Sequence, residues 1–129
     1  MNKQRTSGSS PYETLYGFSR AVRVGDRIIV SGTAPVEDDG SSTPGDAAVQ
    51  ARRCFDIILR AVEDLGGSAE HVVRTRMFIT DPRDANAIGA VHGEVFRVVR
   101  PAATMVVVNA LLRDEWRVEI EAEALVHHE

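Results

Sequence analysis

Three glutamates at alternate positions, Glu119, Glu121 and Glu123, interrupt the run from Val118 to Leu125. A period of two places all three carboxylates on one face of a strand, where an acid can exchange protons with a bound molecule. A solvated acidic stripe would produce the same pattern. Cations suited to meeting a carboxylate with a planar fork are Arg20, Arg76 and Arg100, each also readable as a surface or interface arginine. His92 is the internal histidine with a carboxylate close by; it could titrate near neutral pH if its helix borders a cleft, and a surface histidine is the competing account. Its neighbour Glu94 stands two residues on, so on a helix the two side chains diverge and do not form a metal pair. Ser31-Gly32-Thr33 closes a strand with small polar groups, either a ligand-facing edge or a simple strand-end turn. No Gly-rich phosphate loop, Ser-His-Asp order or cofactor fingerprint is visible, and neither a metal nor a cofactor is expected.

The elements that must position these residues can be read from periodicity. Tyr16 to Val24 and Arg27 to Ala34 form two strands joined by the tight turn Gly25-Asp26. Val36 to Thr43 is a loop. Thr43-Pro44-Gly45-Asp46 then starts a helix, with a hydroxyl to cap free amides and an acid near the positive dipole end. Ala47, Ala51, Phe55, Ile58, Val62 and Leu65 repeat at three and four residues along it, until Gly66-Gly67 ends it. Cys54 falls within this apolar spacing and reads as a core thiol rather than a nucleophile. Val72 to Thr80 alternates as a strand, with Val73, Thr75, Met77 and Ile79 on one face. Asp81-Pro82 opens a second helix whose body runs from about Asp84 to Val98. Ala103 to Asn109 is a nearly continuous apolar strand, expected to be buried on both faces, and Trp116 to Leu125 is the last strand. Residues 1–15 are small and polar, a mobile arm or an edge cover, so the expected organisation is a flexible arm followed by one domain over 16–129. The resulting β-β-α-β-α-β-β order, with room for one short extra strand, is an α+β layer of five or six strands with two helices on one face. The uncovered face calls for association between subunits.

Composition narrows the function. The chain has 129 residues, 43% hydrophobic and 26% charged, which suits a single globular domain. A net charge of −4 lacks the basic face that phosphate-backbone binding needs, so nucleic acid is not an expected partner. A lone cysteine excludes an internal disulfide and a cysteine-based zinc site. No apolar run approaches the roughly 20 residues of a membrane span and no secretory signal is visible at the N-terminus, so no membrane contact and a cytoplasmic home are expected.

Arg100-Pro101-Ala102-Ala103-Thr104-Met105-Val106-Val107-Val108, with Ser31-Gly32-Thr33 upstream and Val118-Glu119-Ile120-Glu121-Ala122 downstream, resembles the RidA family, also called YjgF or L-PSP. The resemblance runs from about Tyr16 to Leu125. It implies a chorismate-mutase-like fold and a homotrimer with three ligand clefts at the subunit boundaries. Members of the family are best known as enamine and imine deaminases, and some have been called ribonucleases. It further implies that Glu119 positions water or relays a proton, that Ser31, Gly32 and Thr33 offer backbone and hydroxyl groups to the ligand, and that Phe18 and Arg20 belong to the strand lining the cleft.

Several positions depart from the family pattern. Deaminating members carry, two residues after the proline, an arginine that pairs with the substrate carboxylate; here that position is Ala103. Losing such a charge-assisted contact costs on the order of 2 kcal/mol, or tens of times in affinity. Arg100 lies about 10 Å back along an extended strand and on its opposite face, so it substitutes only if the chain bends at Pro101. Phe18 stands where a tyrosine is frequent and Gly89 where an asparagine is common. Met105, next to Thr104, stands where a small or thiol-bearing residue is usual. The expected protein is a trimeric binder of a small metabolite, and, if catalytic, a cofactor-free hydrolase of enamines, imines or related carbonyl compounds with weak or absent 2-aminoacrylate deaminase activity. A non-catalytic ligand-sensing or protein-regulating trimer is the alternative, and an endoribonuclease a third.

Overall fold

The computed structural model describes residues 2–126; His127 and His128, read above as an uninformative tail, lie outside the described residues. The elements in chain order are β1 (Lys3–Thr6), α1 (Tyr12–Tyr16), β2 (Ala21–Val24), β3 (Arg27–Thr33), α2 (Ala47–Asp64), β4 (Val72–Ile79), α3 (Ala85–Val95), β5 (Ala102–Val107) and β6 (Val118–Leu125). The six strands make one mixed sheet in the order β1-β2-β3-β6-β4-β5. Only the β4–β5 pair is parallel, bridged by α3 as a parallel crossover requires. β6 therefore ends up in the middle of the sheet, and Glu119 with it. This is the α+β class expected, with six strands.

The β2–β3 turn is the two-residue one anticipated: Val24 pairs with Arg27, and Gly25 takes a φ of 61 that a residue with a Cβ resists. α2 is capped by Asp46, whose carboxylate accepts from the Val49 amide at 3.0 Å, rather than by the Thr43 hydroxyl, which donates to Glu37 instead. Its apolar stripe packs with α3 on one face of the sheet. Phe55, Ile58, Ile28, Ile120, Val118 and Phe96 are fully enclosed there, each worth roughly 1.5–3 kcal/mol of transfer from water. α3 is shorter than expected, because Pro82–Asp84 forms a separate 3-10 turn before it and Phe96 ends it.

Four expectations need correcting. Residues 3–6 are not the flexible arm of the expected organisation but follow its alternative, an edge cover, as strand β1 paired antiparallel to β2, and Tyr12–Tyr16 form a short helix closed by Gly17 at φ 77. Tyr16 consequently ends a helix rather than starting a strand. In β4 a register shift between Val72 and Arg74 makes Val73 the extra residue of a bulge, so Val72 takes the buried position and Val73 is 46% exposed. Finally, β5 has a single hydrogen-bonded neighbour and lies at the sheet's edge. Its Val106 and Val107 stay 42% and 54% exposed and only Met105 packs against the core, so the run is not enclosed on both faces within one chain.

Candidate functional site

Glu119 sits on β6 between buried Val118 and Ile120, so its carboxylate projects from the sheet face opposite the helices. The neighbouring acids are spoken for: Glu121 binds Arg76 at 2.9 Å and Glu123 binds Arg27 at 2.7 Å. Glu119 has no hydrogen-bond or ion-pair partner among the described residues. The acidic stripe is thus two surface ion pairs and one unpaired carboxylate, which distinguishes Glu119 in a way alternation could not.

A break in the β3 ladder makes room for it. Val30 pairs with Ala122 and Thr33 with Ile120, so Ser31 and Gly32 together oppose the single residue Glu121. A Cβ on Gly32 would stand 2.6 Å from Glu119 Oε2, closer than any side chain tolerates. Gly32 is therefore a glycine because the carboxylate lies against its backbone.

Arg20 holds this corner together from beneath. Its guanidinium donates to the Gly32 carbonyl oxygen and stands 4.0 Å from the Glu13 carboxylate, while only 4% of the residue meets solvent. Glu13, equally enclosed, accepts from the Gly8 amide through both oxygens, at 2.9 and 3.1 Å. Burial pulls the Arg20 pKa down, and the charges of Glu13 and Glu119 oppose the shift. Burial likewise pushes the Glu119 pKa up; Arg20 works against the change and Glu121 adds to it. Burial raises the Cys54 thiol far out of the reactive range, with Glu119 adding to the shift. Cys54 is thus an inert core residue.

Glu119, Arg20, Ser31 and Gly32 form the polar side of a cavity of 320 Å³. Opposite them stand four aromatic side chains, Tyr12, Tyr16, Phe18 and Trp116, together with Leu112. Tyr12 and Tyr16, one helical turn apart on α1, stack with centroids 5.2 Å apart, and Tyr12 meets Trp116 edge-on at 6.5 Å. Sequence reasoning missed Tyr12, Tyr16, Leu112 and Trp116 as site residues. The readable signal was the Tyr-x-x-x-Tyr-Gly spacing of Tyr12, Tyr16 and Gly17, a helical turn followed by a C-terminal glycine.

The remaining candidates lie elsewhere. Thr33 is fully buried, with its hydroxyl donating to the Ser31 carbonyl, so it supports the bulge without reaching the cavity. Gly89, His92, Ala103 and Met105 gather where α3 passes β5: a Cβ on Gly89 would sit 3.9 Å from the Met105 methyl. Ala103 pairs with Thr75, whose hydroxyl lies 2.8 Å from His92 Nε2. The His92 ring rests against Phe55 and Phe96, and its partial burial lowers its pKa. Thr104 pairs with Arg76 on the open face. None of these five lines the Glu119 cavity of the same chain. Among the described residues no group of three or more His, Cys, Asp or Glu side chains is arranged to hold a metal ion, and no helix is long and apolar enough to cross a membrane.

These features define a small α+β domain with a carboxylate-bearing cavity beside its central strand. The sequence model of the family described as Endoribonuclease L-PSP matches residues 8–126, and the chain belongs to that family, the RidA or YjgF family of the resemblance above. It is 37% identical over 121 residues to the uncharacterized protein SCO2049 of Streptomyces coelicolor, covering 94% of this chain and 90% of that one. It is also 32% identical over 111 residues to the 2-iminobutanoate/2-iminopropanoate deaminase of Escherichia coli K12, covering 84% and 86%. Among solved structures, Rv2704 of Mycobacterium tuberculosis, a member of the YjgF/YER057c/UK114 family, superimposes with a TM-score of 0.89 at 36% identity, covering 97% of this chain and 100% of that one.

Proposed function

We propose that this protein is a cytoplasmic homotrimer that binds small imine-type metabolites in clefts between its copies and hydrolyses them without a cofactor. The observation that carries this reading is the unpaired Glu119 carboxylate, held against Gly32 in a cavity that a small molecule can enter. A carboxylate so placed accepts a proton from water as the water oxygen attacks the imine carbon, and afterwards returns a proton to the departing nitrogen. The relative named as an imine deaminase supports the same chemistry.

Trimer formation would complete the site. The group at α3 and β5 that contains Gly89, His92, Ala103, Thr104 and Met105 stands apart from the Glu119 cavity within one chain. The exposed apolar surface of β5 is what a second copy would cover, and that contact would bring the two halves together. Arg20 does not take over from the arginine missing at Ala103, because its guanidinium is enclosed and engaged with Gly32 and Glu13. Turnover of 2-aminoacrylate-type imines, whose carboxylate needs a cation, is accordingly expected to be weak.

Glu119→Gln tests the proposal: it should abolish imine hydrolysis while the folded protein still binds ligand, more weakly where the ligand is a cation. The empty cation position at Ala103 favours the second reading, a trimer that senses a ligand without converting it. That reading predicts binding with no turnover to lose. A nuclease role is opposed by the net charge of −4, and RNA binding without a steep salt dependence would reject it.

A further inference from the structure

Cavities at sites of this kind are sorted by the charge they leave uncompensated, and here the sum is negative. Glu13 and Arg20 cancel each other out of solvent, 4.0 Å apart. Glu119 then remains as the one unpaired charge facing the 320 Å³ space. Arg113 does not line the cavity. It packs over the outer side of Tyr12 and Trp116, 5.8 and 5.1 Å from their ring centres, and donates to Gly40 and to Ser42, whose hydroxyl also binds Glu115. The rest of the wall is aromatic.

We propose, building on the imine-hydrolase reading above, that the cavity selects a cationic ligand with an apolar or aromatic body and no carboxylate: a protonated imine derived from an amine rather than from an amino acid. Three features point the same way. An unpaired, partly enclosed carboxylate is stabilised by a positive ligand and destabilised by a negative one. Tyr12, Tyr16, Phe18 and Trp116 offer π surface that favours cations and flat apolar groups over anions. Among the described residues that line the cavity in one chain the sole cation is Arg20, which is 4% exposed and has its terminal nitrogen committed to the Gly32 carbonyl.

The reaction balances on such a substrate. One protonated imine and one water give one aldehyde or ketone and one ammonium ion. A carbon–oxygen double bond replaces the carbon–nitrogen double bond, with Glu119 carrying the two protons of the attacking water, one after the other, to the leaving nitrogen. No oxidant, metal or second substrate is required. Substrate and ammonium product each carry one positive charge, so Glu119 faces a cation at encounter and again at product release.

The test uses the whole protein and three probes of one shape, benzylamine, benzyl alcohol and benzoate, which differ in charge. Trp116 is the chain's one tryptophan and lines the cavity, so its fluorescence reports occupancy directly. Titration at neutral pH, checked by calorimetry, should show benzylamine binding at least about tenfold more tightly than benzoate, with the alcohol between them. In Glu119→Gln this gap should shrink to less than about threefold, with a thermal midpoint like that of the wild type confirming the fold. Benzoate binding as well as or better than benzylamine overturns the charge preference while leaving the site reading intact. A gap that persists undiminished in Glu119→Gln overturns the assignment of the preference to Glu119. Should no probe disturb Trp116 or release heat, the preference is rejected; the hydrolase reading survives that result if imine turnover persists and fails with it if turnover is also absent.

Discussion

Replacing Gly32 with alanine separates the position of Glu119 from the integrity of the fold. The added Cβ would lie 2.6 Å from Glu119 Oε2, 3.5 Å from its carboxyl carbon and 3.8 Å from Cγ, so only the carboxylate oxygen is in the way. Reaching ordinary van der Waals separation requires that oxygen to retreat by roughly 0.8 Å, which a rotation of the side chain supplies at a cost of about 0.5–1.5 kcal/mol. Gly32 is not among the residues with positive φ, so alanine fits the backbone and stiffens the unfolded chain, returning about 0.4–1 kcal/mol. Stability should therefore change little, by less than roughly 5 °C in melting temperature. Function should not be spared: a catalytic group displaced by about 1 Å typically forfeits on the order of a hundredfold in rate. The assay is kcat/KM for imine hydrolysis beside a thermal melt of the same preparation. A variant that melts normally and turns over within about threefold of the wild type would refute the claim that Gly32 fixes a working Glu119.

Further outcomes follow from the same contacts. Because burial raises the Glu119 pKa above its usual 4.5, turnover that needs the ionised acid should fall as pH drops through that raised value, as a kcat/KM profile across the acid range would show. A raised pKa in the folded state also means that the ionised acid costs stability at higher pH. Glu119→Gln should thus gain on the wild type near neutrality and lose that gain in acid, as urea midpoints at two pH values would show. His92 is shifted the other way, below 6.5, so its contribution is intact above 6.5 and lost as pH falls toward its folded value; His92→Gln should flatten this part of the decline. Arg20→Met strands the Glu13 carboxylate without its counter-ion and should cost about 3 kcal/mol in denaturant titration; a loss below about 1 kcal/mol would show that the Gly8 amide alone satisfies Glu13. Val106→Asp, on the open face of the edge strand, should convert a trimer to monomers in light scattering while a single chain keeps its secondary structure.

Strong periodicity made most of the framework legible. The stripe from Ala47 to Leu65 and the alternation from Val118 to Leu125 each correspond to one element with the expected buried face, because hydrophobic burial dominates such segments. Where a local irregularity decides the geometry, periodicity misleads. The bulge at Val73 reverses which valine is buried, and Ser31-Gly32 reads as an ordinary strand end although its extra residue seats Glu119. The N-terminal fifteen residues left arm and edge cover both open, since their order comes from pairing with β2 and from the Glu13 contacts with Gly8 and Arg20, none of which is a pattern in the sequence. Glu119 itself was found through family position; that Glu121 and Glu123 are paired and Glu119 is not depends on which arginines lie across the sheet. The continuous apolar run of β5 read as a strand buried on both faces, with association covering the open one; within one chain Val106 and Val107 stay exposed, because the run lies on an edge strand, which its composition does not announce.

The aromatic wall of the cavity is built largely from residues 12–18, while the main hydrophobic interior under the helices draws on none of them and only Tyr12 packs against the smaller cluster around Trp116. Chemical preference and foldability are thereby written in different parts of the chain. Exchanging Tyr16 and Phe18 for the residues of a relative, with Tyr12 and Glu13 left in place, would graft a new specificity onto a scaffold whose buried contacts are kept.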